Sequence, residues 1–103
     1  QYGCTHSTQA NAETATPMVR QYLAVKQQYE GVLLLYQMGD FYETFFEDAL
    51  IAHRVLEITL TARDAGSLGK IPMAGIPIKA ADSYIPRLLA GNLKVAICEQ
   101  TED

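Results

Sequence analysis

The stretch that leaves this chain least choice is Val32-Leu33-Leu34-Leu35-Tyr36, its most apolar run, with Gly31 in front and Gly39 shortly behind. A short, continuous apolar run between glycines reads as a buried strand. Gly39-Asp40 supplies turn chemistry, since glycine tolerates positive φ and aspartate bonds nearby backbone. The turn leads into Phe41-Tyr42-Glu43-Thr44-Phe45-Phe46. If that segment is extended, its side chains alternate between faces. Phe41 and Glu43 then share a side, their Cα atoms about 6–7 Å apart. A large aromatic and a carboxylate on one exposed edge make a poor core and a reasonable contact surface. Taken alone, Phe41 has a competing fate in ordinary core packing, because most phenylalanines are substantially buried. Tyr42, on the opposite face, is expected to support the core.

The remaining elements assemble around this hairpin. Thr16 suits an N-cap and Pro17 a first helical position. Met18, Tyr22, Val25 and Tyr29 then recur at helical spacing, and Gly31 closes the helix. Glu47-Asp48 opens a second helix, where acids suit the positive N-terminal end. Ala49, Ala52, Val55 and Leu56 form its buried face, with His53 and Arg54 pointing elsewhere. Ile58 to Thr61 alternates like a short strand. Residues 63–70 hold two glycines between basic ends and read as a mobile loop. That loop is either an ordinary hairpin connection or an arm that touches phosphate. Ile71 to Pro77 carries two prolines, which predicts an edge strand or a rigid crossing. A third helix spans Lys79 to Leu89. Pro86 within it implies either a late start with Asp82 as N-cap or a kink. Lys94 to Gln100 is the last strand, with Cys98 as a small buried hydrophobe. The fold class is therefore α/β in the α+β sense: a single domain with a mixed β-sheet and about three packed helices.

Residues 1–15 are rich in Gln, Thr, Ala and Ser without apolar periodicity, which predicts a flexible lead-in before a domain at 16–103. His6 there has no partner at metal-ligand spacing. The chain starts without Met and stops at Glu102-Asp103, so it reads as a piece of something longer. At 103 residues it suits one modest core. No run approaches the roughly 18 apolar residues of a membrane helix, and a soluble protein is expected. Cys4 and Cys98 are far apart in sequence and lack ligand-like spacing, so reduced thiols in a cytosolic setting are expected. The formal net charge of −4 argues against an autonomous binder of nucleic acid.

Catalytic patterns are thin. There is no phosphate-binding loop and no glycine-rich turn between strand and helix. Cys98 with His53 forms a conceivable nucleophile and base, although a cysteine in an apolar strand is normally inert. Asp40, Glu43, Glu47 and Asp48 would be the acids of a nuclease-like metal site, but no lysine lies near them in sequence and helix initiation explains two of the four. A protein-interaction module anchored by Phe41 is the other alternative.

Several motifs agree in order and spacing with one family. Thr-Pro-Met at 16–18, Leu-Tyr-Gln-Met-Gly-Asp-Phe-Tyr-Glu at 35–43, Phe-Phe-Glu-Asp-Ala at 45–49, Ile-Pro-Met-Ala-Gly-Ile-Pro at 71–77 and Val-Ala-Ile-Cys-Glu-Gln at 95–100 resemble the N-terminal domain of bacterial MutS, the DNA mismatch-recognition family. Pro86 and the sequence of the 63–70 loop depart from the commoner pattern. The resemblance implies a domain that reads mismatches from the minor groove. Phe41 matches the family's wedge, stacking on a mispaired base, and Glu43 matches the glutamate that hydrogen-bonds to it. Arg63 and Met73 fall where the family places neighbouring DNA contacts. The resemblance also implies that partners are mismatched or looped double-stranded DNA, the remaining domains and second subunit of a dimer, and a MutL-type protein reached through the parent. No catalysis or cofactor is expected in this chain, with ATP and magnesium belonging to the parent protein. The implied setting is the bacterial cytoplasm, near the nucleoid.

Overall fold

The computed structural model describes residues 2–6 and 15–100. Its strands are β1 (Tyr2–His6), β2 (Leu33–Met38), β3 (Phe41–Phe45), β4 (Thr61–Asp64), β5 (Lys70–Pro77) and β6 (Val95–Gln100); its helices are α1 (Pro17–Lys26), α2 (Phe46–Leu56) and α3 (Ala81–Ala90). The strands form one mixed sheet in the order β1-β6-β2-β3-β5-β4. β6 runs parallel to both β1 and β2, and the other pairings are antiparallel. The fold is α+β.

Central β2 explains the long apolar run. Leu34 and Tyr36 project into one core cluster with Val19 and Tyr22 of α1, Phe45 and Cys98. Leu33 and Leu35 project into another, with Ala52 and Leu56 of α2, Ile76, and Ile85 and Leu88 of α3. A strand covered on both faces needs apolar residues at every position, because each side chain of the period-two pleat meets a hydrophobic layer. Cys98 is fully buried in the first cluster.

Several local expectations change. Residues 2–6 pair with β6 through the backbone, where a structureless lead-in is expected from composition; residues 7–14 and the side chains of β1, including Cys4 and His6, lie outside the described residues. Cys4 and Cys98, distant in sequence, are register partners at the backbone. Thr16 occupies the N-cap of α1 without a side-chain cap bond. The strand expected at 58–61 lies further on, at Thr61–Asp64. Glu57 caps α2 in the left-handed region, and residues 58–60 carry the chain away from the helix. β5 is interior, not an edge. Its prolines permit this because Pro72 lies beyond the last β3 partner and Pro77 ends the strand, leaving Met73 to Ile76 free to pair. α3 begins at Ala81 after a 3-10 turn, so Asp82 is inside the helix and Ala80 is its uncapped N-cap.

The acid expected merely to start α2 does more. Asp48 is buried and accepts hydrogen bonds from Lys26 Nζ at 2.7 Å and the Leu34 backbone N–H at 3.0 Å. Lys26 also donates to the Val32 carbonyl. One carboxylate thus ties α1, β2 and the start of α2 together.

Candidate functional site

Three cross-strand pairs between β3 and β5 set out the site: Phe41 opposite Pro77, Glu43 opposite Gly75, and Phe45 opposite Met73. Opposed residues of an antiparallel pair point to the same face. This is the α1 face of the sheet, yet α1 covers only part of it. Tyr22 of α1 packs edge-on against Phe45 with ring centroids 4.8 Å apart, and Phe45 is buried. Toward the hairpin the cover ends. Glu43 is half-buried and Phe41 stands 42% exposed. The same strand therefore carries one aromatic into the core and lifts another out of it.

The hairpin presenting Phe41 is fixed at both ends. Gly39 turns at φ 60°, the left-handed region that glycine enters without steric cost, and the Ile78 N–H donates to the Asp40 carbonyl at 2.8 Å. An open groove of about 630 Å³ borders the ring, lined by Gln37, Gly39, Asp40, Pro77, Ile78 and Lys79. Beneath the hairpin Tyr42 faces the other way into the second core cluster, and its hydroxyl donates to Glu99 Oε1 at 2.7 Å. Burial, helped by Glu99, pushes the Tyr42 phenol up to about 12.

Arg63 lies on β4 opposite Ile71, and Met73 on β5 opposite Thr61, so all four residues singled out in the sequence share one face. Arg63 is a half-exposed strand residue, not part of a loop, and Met73 packs half-buried against the α1-side core. Burial raises the Glu43 carboxyl above its ordinary range, and the charge of Arg63 partly opposes the shift. The 65–69 connection is pinned: Ala65 is buried, the Ala65 N–H donates to Gly69 at 2.7 Å, and the Thr16 N–H donates to Ala65.

The enzymatic arrangements do not assemble. Asp48 is turned to Lys26 while Glu47 is exposed, and among the described residues no group of three or more His, Cys, Asp or Glu side chains is placed to share a metal ion. His53 sits exposed on α2 with Nδ1 against the Ile58 carbonyl, whereas Cys98 is buried beneath α1. Among the described residues no helix is long and apolar enough to cross a membrane. Two residues escaped the sequence reading. Lys79, read as the start of a helix, stands on the rim of the groove beside Phe41. Gly75 lies directly under Glu43.

The model of a family described as MutS domain I matches residues 16–103. DNA mismatch repair protein MutS of Desulfosudis oleivorans is 58% identical over 89 residues, covering 86% of this chain and 10% of that protein. The MutS protein of Staphylococcus saprophyticus is 59% identical over 88 residues, covering 85% of this chain and 10% of its own length, and that of Carboxydothermus hydrogenoformans is 58% identical with the same coverage. The chain thus spans about a tenth of the length of the relatives it matches.

Proposed function

The chain belongs to the MutS domain I family, and from that premise we propose that it is the element of a DNA mismatch repair protein that meets mismatched or looped double-stranded DNA. Phe41 enters the minor groove as a wedge, Glu43 bonds to the mispaired base, and Arg63 and Met73 contact the flanking duplex. The observation that carries this reading is a phenylalanine 42% exposed on a fixed hairpin, with a half-buried carboxylate two residues along the same face.

The physics is one of deformability. Wedging an apolar side chain between base steps costs a few kcal/mol of unstacking and kinks the duplex. A mispaired site is already poorly held, so the same insertion costs less there. Every base presents a π-face, so one ring serves many mismatches. Glu43 accepts from a thymine imino group when ionised. Against a purine acceptor it must carry a proton. Burial already favours the protonated form, and the negative potential of DNA pushes in the same direction.

A chain of net charge −4 supplies little of the phosphate attraction that dominates affinity. The remaining domains of the parent and a second subunit provide it, together with the ATP and magnesium site and the contact with a MutL-type partner. This chain contributes recognition without catalysis. The test of the base contact is Glu43→Gln in the full-length polypeptide against a panel of mismatches. An unequal loss that follows base chemistry is expected. An equal loss for every mismatch refutes the protonation switch.

A further inference from the structure

Gly75 sits in the interior of β5 without positive φ, so its lack of a side chain is not needed for backbone conformation. The space above it is already taken. A Cβ placed on Gly75 would lie 2.2 Å from Glu43 Oε1, 2.6 Å from Cδ and 3.0 Å from Oε2. The carboxylate fills the volume that the first side-chain carbon of any other residue would occupy. Glycine inside a strand weakens it, and close approach of another group is one of the reasons a strand keeps one.

We propose that Gly75 is a positioning residue for mismatch recognition: its bare backbone is the seat on which the Glu43 carboxylate is held beside Phe41. This rests on the reading of Glu43 as the base contact. Seated, the side chain presents its acceptor from one place, and less conformational freedom is lost when the contact forms. Facing Glu43 are Tyr36, its cross-strand partner on β2, whose hydroxyl is directed to Gln21 of α1 at 3.0 Å, and Arg63 on β4. β5 contributes no titratable group to this face, since Met73 and Pro77 flank Gly75. The seat also half-buries the carboxylate, which agrees with the upward shift of its pKa.

The test compares this chain with its Gly75→Ala variant by carbon-detected NMR titration of the Glu43 carboxyl. The clash falls on the end of a flexible side chain, so the variant is expected to fold with Glu43 displaced into solvent and titrating in the ordinary carboxylate range. An unchanged Glu43 titration overturns the seat. If Gly75→Ala instead lowers thermal stability, adding Glu43→Ala must recover it; failure to recover also overturns the seat. In the full-length polypeptide, Gly75→Ala is expected to lower mismatch affinity while leaving homoduplex binding unchanged. A moved titration with unaltered mismatch affinity upholds the seat and rejects Glu43 as the base contact.

Discussion

Phe41 and Phe45 lie on one strand and one face but differ sharply in burial, so truncating each to alanine should have very different costs. Phe45 is 1% exposed and packed against Tyr22. Emptying such a site removes transfer energy and leaves a cavity, about 3–5 kcal/mol. Phe41 is 42% exposed. Only a little over half of the roughly 1.5–3 kcal/mol for burying a phenylalanine is then at stake, and an open surface leaves no enclosed cavity. The expected loss is about 1–1.5 kcal/mol. For a domain of this size 1 kcal/mol corresponds to roughly 4–8 °C in Tm. Phe41→Ala should therefore lower Tm by about 5–10 °C and Phe45→Ala by more than about 12 °C. Urea denaturation and thermal melts of the two variants measure the difference directly. Equal losses would mean that the Phe41 ring is part of the core, and the reasoning that frees it for DNA would fail.

Asp48→Ala should cost about 1–3 kcal/mol, the penalty for leaving a buried donor unsatisfied, because the Leu34 N–H loses its acceptor while Lys26 keeps the Val32 carbonyl and loses its charged partner; a urea midpoint within error of the parent would show the network to be idle. The Tyr42 phenol is raised in the folded state, so its contribution to stability is complete below about pH 10 and is lost as pH rises toward about 12. Tyr42→Phe should flatten the alkaline limb of stability against pH, and an unchanged limb would contradict the assignment. The Glu43 carboxyl is also raised, so stability falls as pH climbs from the ordinary carboxylate range through the folded value; Glu43→Gln should abolish that slope in chemical-denaturation curves. Mismatched duplex titrated with this chain alone at physiological salt should bind no more tightly than the nonspecific range of about 10⁻⁴–10⁻⁶ M, and tight binding would show that no other domain is needed.

What could be read in advance was whatever depends on neighbours in sequence. The glycine-bounded run gave β2, and alternation from Phe41 placed the ring and carboxylate on one face because the pleat period is two. What depends on tertiary partners was hidden. Pairing of residues 2–6 with β6 uses backbone groups that polar composition does not advertise. The prolines of β5 suggested an edge because their position relative to the end of β3 is set by register, not by local sequence. Ile58 to Thr61 has strand-like side chains, but the left-handed cap at Glu57 and the pairing with β5 begin the ladder at Thr61. Asp48 looked like any acid in a first helical turn until its burial against Lys26 appeared. For Gly75 the only local hint was a glycine within a strand pattern, and the carboxylate above it comes from another strand.

The most direct test is the ratio of mismatch to homoduplex affinity for the full-length polypeptide with and without Phe41→Ala, at one fixed salt concentration. Loss of stacking worth about 1–3 kcal/mol should reduce that ratio by roughly fivefold to a hundredfold, with homoduplex binding little changed. Discrimination that survives the loss of the ring would contradict the claim that Phe41 finds the mismatch.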